Sequence, residues 1–234
     1  MSTAHRIRTE ADAIRFIKAV KFALRYNSTP SLPLASMYAA AGDQRRAIEL
    51  TNALLARDEA VETNVIADRL VLVHREIVPA LYALRVRFRP AQLSDTAQRA
   101  FRLIHNDGTA TAGDVRRYLG VDGTKRPDAA DLALADLQRD MLIDRGPSSV
   151  PAGGIPYLSK EGFPYRAFEK AHSDLVRAAR TMKVDEALES ILRATGCFPA
   201  KRVISMFKLC LTREERDQIS RGQRSRTTAD SARV

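Results

Sequence analysis

The sequence predicts an α+β fold that is mainly α-helical with short β-hairpins and consists of tandem winged-helix or helix-turn-helix units. The first observation is a run of three helices and a hairpin between about residues 94 and 159. The second is a similar run before it, and the third is a set of helices after it. These runs begin near Ala11, Asp95 and Asp185, and a repeat of roughly 85 residues exceeds ordinary solenoid periods, which favours tandem domains.

Residues 1–90 are predicted to form a first winged-helix-like unit with a bridging helix. An amphipathic helix is predicted over 10–26, a short second helix over 32–41, and a third helix from the N-cap candidate Asp43 to about Arg57. Extended runs at 64–67 and 70–73 flank a tight turn, which predicts a hairpin without a long wing. A bridging helix over 77–87 follows.

Residues 91–162 are predicted to form a central winged-helix unit. Its first helix stops at the turn residues 106–108, and Thr111 offers an N-cap oxygen for a second helix, Ala112 to Leu119, closed by Gly120. A third helix is predicted over 126–140, with apolar residues on one side. Short strands at 141–143 and 155–158 flank a loop rich in Gly, Pro and Ser, as in the wing of a winged helix.

Residues 163–223 are predicted to form a linking helix and a third helix-turn-helix unit. The linking helix is predicted over 164–181, and helices over 185–195 and 199–209 follow it. Thr212 and Glu215 have the spacing of a capping box for a last helix that reaches about Gly222. No strand is predicted after these helices, and residues 224–234 are predicted to be a flexible basic tail.

The composition favours a polyanionic partner. The chain has 234 residues, a formal net charge of +10 and a pI near 10.0, and excess cation favours phosphate pairing and counterion release. Its two cysteines match no zinc-ligand spacing and are expected to be reduced. No apolar run is long enough to span a membrane. We therefore expect a cytoplasmic, nucleoid-associated protein with no metal, no cofactor and no membrane partner.

The order of elements resembles the bacterial winged-helix DNA glycosylases of the AlkZ and YcaQ kind, built from tandem winged helices cupped around duplex DNA. The resemblance covers most of the chain in architecture. In amino-acid sequence it rests on LVLVHR at 70–75 leading to PALYAL at 79–84, and on ALADLQ at 133–138 followed by MLID at 141–144. Family members excise alkylated purines with a Gln-x-Gln motif, whereas the glutamines here are isolated from one another. The chain thus resembles a divergent member of this family. The resemblance implies the fold and a double-stranded DNA partner more than it implies base excision.

Basic and amide side chains near the third helices and the wing are the candidate DNA contacts. Arg, Gln and Asn read base edges from a third helix in the major groove, and flanking cations hold phosphates. The third helix of the central unit is acidic, so the cations beside it are expected to clamp phosphates without reading sequence. The candidate DNA-binding residues are Gln44, Arg45, Arg46, Asn52, Arg116, Arg117, Lys125, Arg126, Arg145, Lys160, Lys201, Arg202, Arg213, Arg216, Gln218 and Arg221.

Three functions follow as hypotheses. We favour a double-stranded DNA-binding protein, regulatory or repair-associated, without evident catalysis, because the four histidines stand alone and no Gly-rich loop has P-loop spacing. The first alternative is a divergent DNA glycosylase acting on alkylated bases, with a carboxylate or backbone-held water replacing the missing glutamines. The second is a winged-helix protein-interaction module, since an acidic third helix is typical of such modules. A homodimer or a protein partner stays open.

Overall fold

The computed structural model describes residues 6–66, 69–86, 92–124, 127–148, 163–196 and 198–217. Within these ranges the chain combines helices with a mixed sheet, which confirms the predicted α+β class. None of the helices in these ranges has both the length and the apolar character needed to cross a bilayer.

The N-terminal region, residues 6–86, alternates helices with paired strands. Its elements are α1 (Glu10–Val20), β1 (Phe22–Leu24), β2 (Ala35–Ser36), α2 (Met37–Ala41), α3 (Gln44–Ala56), β3 (Ala60–Ile66), β4 (Arg69–His74) and α4 (Val78–Val86). A capping box of Thr9 and Asp12 starts α1, and Lys21 ends it at a φ of 60°. The side chain of Asp43 accepts from the Arg46 backbone N–H, so the predicted N-cap of α3 is confirmed.

The central region, residues 92–167, repeats helices and a small sheet. Its elements are α5 (Asp95–Asp107), β5 (Thr109–Thr111), α6 (Ala112–Leu119), α7 (Ala129–Arg139), β6 (Ile143–Arg145) and β7 (Pro164–Ala167). The predicted bounds of α6 are confirmed, because Thr111 and Asp114 form a capping box and Gly120 closes the helix in the left-handed conformation.

The C-terminal region, residues 168–217, contains helices and no strand in its described residues. Its elements are α8 (Phe168–Ala171), α9 (Ser173–Thr181), α10 (Val184–Ala194), α11 (Ala200–Met206) and a short helix at 213–217. The predicted capping box is confirmed: the Thr212 backbone N–H donates to Glu215 Oε2 at 2.8 Å, and the Glu215 backbone N–H donates to Thr212 Oγ1 at 3.2 Å.

The strands of the N-terminal and central regions form one sheet. In the described residues its order is β2-β1-β4-β3-β6-β7-β5, with β1 and β2 parallel and the other neighbours antiparallel. The β3–β6 step joins the two regions, and Glu62 lies opposite Arg145 there. The two regions therefore meet at a sheet junction whose paired residues carry opposite charge.

Three apolar clusters hold these layers together. One lies among α1, α2, α3 and the sheet, and a second lies among α5, α6, α7 and the strands beside them. The third joins strands of the N-terminal region to α4, α9, α10 and α11, with Phe22 and Phe207 rings 4.8 Å apart. Arg85 adds polar links across all three regions, because it donates to the backbone carbonyls of Arg139 and Phe207. The C-terminal helices are thereby fixed against the sheet.

Several predicted elements are wrong in extent or type. The helix predicted over 10–26 ends at Val20, and residues 22–24 form β1 because they pair with β4. Residues 32–36 precede α2 instead of belonging to it. Residues 164–167, predicted as helix, form β7, which pairs with both β5 and β6. These strands owe their conformation to partners distant in sequence, which helical periodicity does not report.

Other boundaries shift or fall elsewhere. The strands predicted at 64–67 and 70–73 are the longer β3 and β4, and the strand predicted at 141–143 is β6. The strand predicted at 155–158 and the basic tail at 224–234 lie outside the described residues. No strand occurs in the described residues after β7, and the division into units stays a prediction.

Candidate nucleic-acid interface

A basic groove of about 800 Å³ lies where α11 faces the start of β4 and the segment after β1. Hydroxyl groups of Thr29, Ser31 and Ser205 contribute to its lining. Four cationic side chains also line it; we call this set, Arg69, Lys201, Arg202 and Lys208, the groove cations. Cations and hydroxyl donors are the groups that proteins use to hold phosphate oxygens.

The sequence of α11 explains why its basic residues face the groove. Val203 and Phe207 belong to the third apolar cluster and Ala200 is also buried, so the helix has one face fixed against the sheet. Lys201, Arg202 and Ser205 fall on the remaining face and are exposed, as is Lys208 just after the helix. The helical spacing of apolar residues thus places every polar residue of this turn toward solvent.

The charges in the groove are largely uncompensated. No carboxylate lines it among the described residues, and within those residues no ion pair is found for Arg69, Lys201 or Lys208. No ion pair is found there for Arg202 either, but its guanidinium lies 4.8 Å from the Phe198 ring centre and donates to the Ser31 backbone carbonyl. These contacts hold Arg202 in place without neutralising its charge.

A second depression, the central cleft, adjoins the groove and has a volume of about 350 Å³. It lies between the N-terminal and central regions, and Arg69 lines both the groove and the cleft. Tyr26, Asn64, Leu134, Gln138, Arg145 and Tyr165 are among its lining residues. The cleft therefore combines aromatic, amide and cationic side chains in a space within the usual range for small-molecule sites.

Behind the cleft, Arg25, Glu62 and Arg145 form a buried charge cluster. Arg25 Nη1 donates to both Glu62 carboxylate oxygens at 2.8 Å, and Arg145 Nη1 donates to Glu62 Oε2 at 3.4 Å. The Phe163 ring stacks against both guanidinium groups, with its centre 4.9 Å from that of Arg25 and 4.3 Å from that of Arg145. The carboxylate of Glu62 is thus the shared counter-ion of Arg25 and Arg145 at the sheet junction.

Two amide side chains at the cleft leave part of their bonding capacity unused. The Asn64 Nδ2 donates to Gln138 Oε1 at 3.4 Å, a long hydrogen bond. Asn64 Oδ1, Gln138 Nε2 and Arg145 Nε are buried with no protein partner. Buried polar atoms are usually satisfied, so this concentration of unpaired atoms at one cleft is notable.

The structure places the predicted contacts of α3 on an exposed helix start. Gln44, Arg45 and Arg46 are exposed, whereas Asn52 is half-buried. Arg45 and Arg46 both pair with Glu49, at 3.2 and 3.1 Å. Exposed pairs of this kind are weak, so Glu49 does not hold either guanidinium firmly.

The predicted contacts of the central region are engaged by carboxylates. Arg116 is 6% exposed and pairs with Asp128 at 2.6 Å and with Asp131. Arg145 belongs to the buried charge cluster, while the exposed Arg117 pairs with Asp114. The structure therefore does not bring Arg116 or Arg145 into the groove.

The predicted contacts of the C-terminal region divide into two groups. Lys201 and Arg202 lie in the groove, and Arg213 and Arg216 are exposed on the short helix at 213–217. Lys125, Arg126, Lys160, Gln218 and Arg221 lie outside the described residues. Of the eleven predicted residues that the structure describes, the groove thus unites only the pair on α11.

Sequence reasoning missed Arg69 and the polar lining of the cleft. Arg69 begins β4 and looks like an ordinary hairpin residue, and Lys208 follows α11 within a basic stretch. Asn64 and Gln138 lie 74 positions apart in sequence. Only Lys208 had a sequence signal, because it falls in the same predicted helix, 199–209, as Lys201 and Arg202. Arg69, Asn64 and Gln138 reach their places only through tertiary packing.

Two titratable residues away from the groove, His74 and Tyr82, have pKa values that are shifted by their structural surroundings. Burial lowers the pKa of His74, which is 5% exposed at the end of β4. Burial and the hydrogen bond to Glu169 raise the pKa of the Tyr82 hydroxyl. Neither residue lines the groove or the central cleft.

No group of three or more potential metal ligands occurs among the described residues. Comparison with protein-family models, curated proteins and solved structures yields no significant match.

Proposed function

We propose that the protein binds double-stranded DNA through tandem winged-helix units, with the basic groove as a phosphate-contacting surface. The observation that carries this proposal is the convergence of the four groove cations, none of which has an ion pair within the described residues. The net charge of +10 favours the same partner over long range.

The repeated order of elements supports the winged-helix part of the proposal. In the N-terminal region the strand after the first helix, β1, pairs with β4, which pairs with β3. In the central region β5 also follows the first helix and pairs with β7, which pairs with β6. Both regions thus place the last hairpin strand between the other two, as expected for three helices followed by a wing.

Groove contacts of this kind hold phosphates and carry little sequence information. Lysines form point-charge contacts with phosphates, and the hydroxyl groups of Ser31 and Ser205 add donors of the same class. The exposed start of α3, with Gln44, Arg45 and Arg46, is the surface that supplies base-reading side chains. We therefore assign affinity to the groove and any sequence preference to α3.

Removing two groove cations tests the proposal. The double variant Lys201→Ala with Lys208→Ala is expected to bind duplex DNA roughly 10- to 100-fold more weakly at 0.1 M salt. The slope of log affinity against log salt should become shallower by about 1.8, because two phosphate contacts are lost. Fluorescence anisotropy with a labelled duplex across salt concentrations measures both quantities.

The matched control removes two lysines that do not line the groove. Lys18 on α1 and Lys183 before α10 are exposed, so Lys18→Ala with Lys183→Ala changes net charge equally. This control should retain most of the affinity and the salt slope. Equal losses in both double variants would show that net charge alone attracts DNA, and unchanged binding in the groove variant would place the DNA elsewhere.

A second candidate function, protein interaction, is favoured by the exposed face of α7. Leu132 is 56% exposed there, and Asp136 beside it carries a partly exposed carboxylate. An apolar side chain among carboxylates suits a basic protein surface better than a phosphate backbone. Leu132→Asp is expected to abolish capture of one stoichiometric partner in an affinity pull-down and to leave duplex binding unchanged; capture retained by the variant would exclude this face.

The glycosylase hypothesis stays a prediction. It rests on the family resemblance, and the sequence has no Gln-x-Gln motif to carry the chemistry.

A further inference from the structure

We propose that the central cleft is a binding site for a small aromatic carboxylate. The proposal goes beyond DNA binding, because the cleft is distinct from the groove and shares only Arg69 with it among its lining residues. Three features carry it: an excess of buried positive charge, unpaired buried donors, and an apolar and aromatic wall.

The buried charge cluster lacks one negative charge. Arg25 and Arg145 share Glu62, whose side chain is fully buried. Asp131 also lines the cleft, but its two oxygens accept from Arg116 and from the Asp128 backbone N–H. Buried charges are costly unless paired, so a monoanion beside Arg145 would give its guanidinium a counter-charge in addition to the carboxylate that it shares with Arg25.

The unpaired donors give the anion a specific place. Arg145 Nε and Gln138 Nε2 are buried without protein partners, and both residues line the cleft. A carboxylate has two acceptor oxygens and can take a charge-assisted hydrogen bond from the guanidinium and a neutral one from the amide. To donate to the carboxylate, the Gln138 amide must turn away from Asn64. Little is lost by this, because the hydrogen bond between the two amides, at 3.4 Å, is long and weak.

The rest of the cleft suits a ring rather than a chain of polar groups. Leu134 and Ala135 form part of one wall, and Tyr26, whose side chain borders the opening, is 51% exposed. Aromatic side chains stack favourably on planar ligands, and a volume of about 350 Å³ admits one or two fused rings. The polar groups of Gln138 and Arg145 and the apolar lining together define an amphipathic ligand with an acidic head.

Binding is tested on the full chain without DNA, so its failure is separate from failure of the DNA proposal. The probes are benzoate, 4-hydroxybenzoate and indole-3-carboxylate, each compared with its neutral amide by isothermal titration calorimetry. At least one carboxylate should bind, and about tenfold more tightly than its amide, because the charge-assisted hydrogen bond is lost in the amide. Absence of binding by all three acids at millimolar concentration, or equal affinity for acid and amide, would overturn the proposal.

Two variants locate the site. Gln138→Leu removes an unpaired buried donor at nearly constant volume, but it also removes the acceptor of the long hydrogen bond from Asn64 Nδ2, so it should lower the melting temperature slightly while weakening carboxylate binding about tenfold. Gln98→Leu, the same change at an exposed residue of α5, is the control and should bind like the parent. Tyr26→Ala, at an exposed position, should weaken binding of the ring without affecting folding. If Gln138→Leu and Tyr26→Ala both bind with parental affinity, the ligand does not occupy the cleft.

Discussion

Replacing Glu62 with glutamine is expected to lower the free energy of unfolding by about 3 to 5 kcal/mol. Glu62 is fully buried, and its carboxylate is the acceptor for both Arg25 and Arg145. The amide keeps one acceptor oxygen but removes the charge, which leaves two guanidinium groups buried without a counter-ion. Urea unfolding followed by circular dichroism measures the change.

The location of Glu62 adds a second consequence. Glu62 lies opposite Arg145 at the β3–β6 step, where the strands of the two regions meet. Loss of its charge should therefore loosen the junction as well as the local packing. Native-state hydrogen exchange should show faster exchange at β3 and β6 than in α10, which lies away from the junction.

Glu49 supplies the matched control for this prediction. It also accepts from two arginines, Arg45 and Arg46, but its side chain is 46% exposed. Glu49→Gln should change the free energy of unfolding by no more than about 0.5 kcal/mol, because exposed ion pairs are screened by solvent. Comparable effects of the two substitutions would contradict the assignment of Glu62 as the counter-ion of a buried cluster.

Replacing Asp144 with asparagine is expected to cost a similar amount, about 3 to 5 kcal/mol at neutral pH. Asp144 is fully buried on β6, where His172 Nε2 lies 2.8 Å and Arg166 Nη2 lies 2.6 Å from its Oδ2. These contacts connect the β6–β7 hairpin to the start of α9. Asp136→Asn on α7, at a partly exposed pair with Arg139, is the control and should cost less than about 1 kcal/mol.

The effect of Asp144 should also depend on pH. Burial alone would raise the pKa of Asp144, but hydrogen bonds and charge from His172 and Arg166 outweigh it and hold the pKa below the ordinary 3.8. A carboxyl group with a lowered folded-state pKa stabilises the fold above its unfolded pKa and loses that contribution as pH falls through the folded value. The stability difference between the parent and Asp144→Asn should therefore shrink as the pH falls below about 4.

Urea unfolding of both proteins at several pH values measures this dependence. Because other carboxyl groups titrate in both proteins, their contributions cancel in the difference. A difference that stays constant down to strongly acidic pH would contradict the lowered pKa of Asp144.

Local signals in the sequence were enough to locate several helices. The N-cap Thr111 and the closing Gly120 bound α6 at its predicted residues, and Asp43 starts α3 as predicted. Capping depends on atoms within three or four residues of each other, so the sequence alone contains the information. The apolar spacing in 199–209 likewise predicted a helix there, and α11 presents Lys201 and Arg202 on its polar face.

Strands and charge partners depended on residues far apart in the chain. Residues 22–24 and 164–167 fit helical periodicity, but pairing with distant strands makes them β1 and β7. Arg145 resembled a free cation in the sequence, although Glu62, 83 positions away, pairs with it in the fold.

The sequence by itself determined the α+β class, the positive charge and the caps of individual helices, because composition and short-range hydrogen bonds follow directly from neighbouring residues. Only the tertiary structure decided which cations stay free for a ligand. Arg69 meets α11 in the groove, while Arg116 is taken by Asp128 and Asp131. The reason is that the charge available at a surface depends on which oppositely charged groups packing brings within a few ångströms of it.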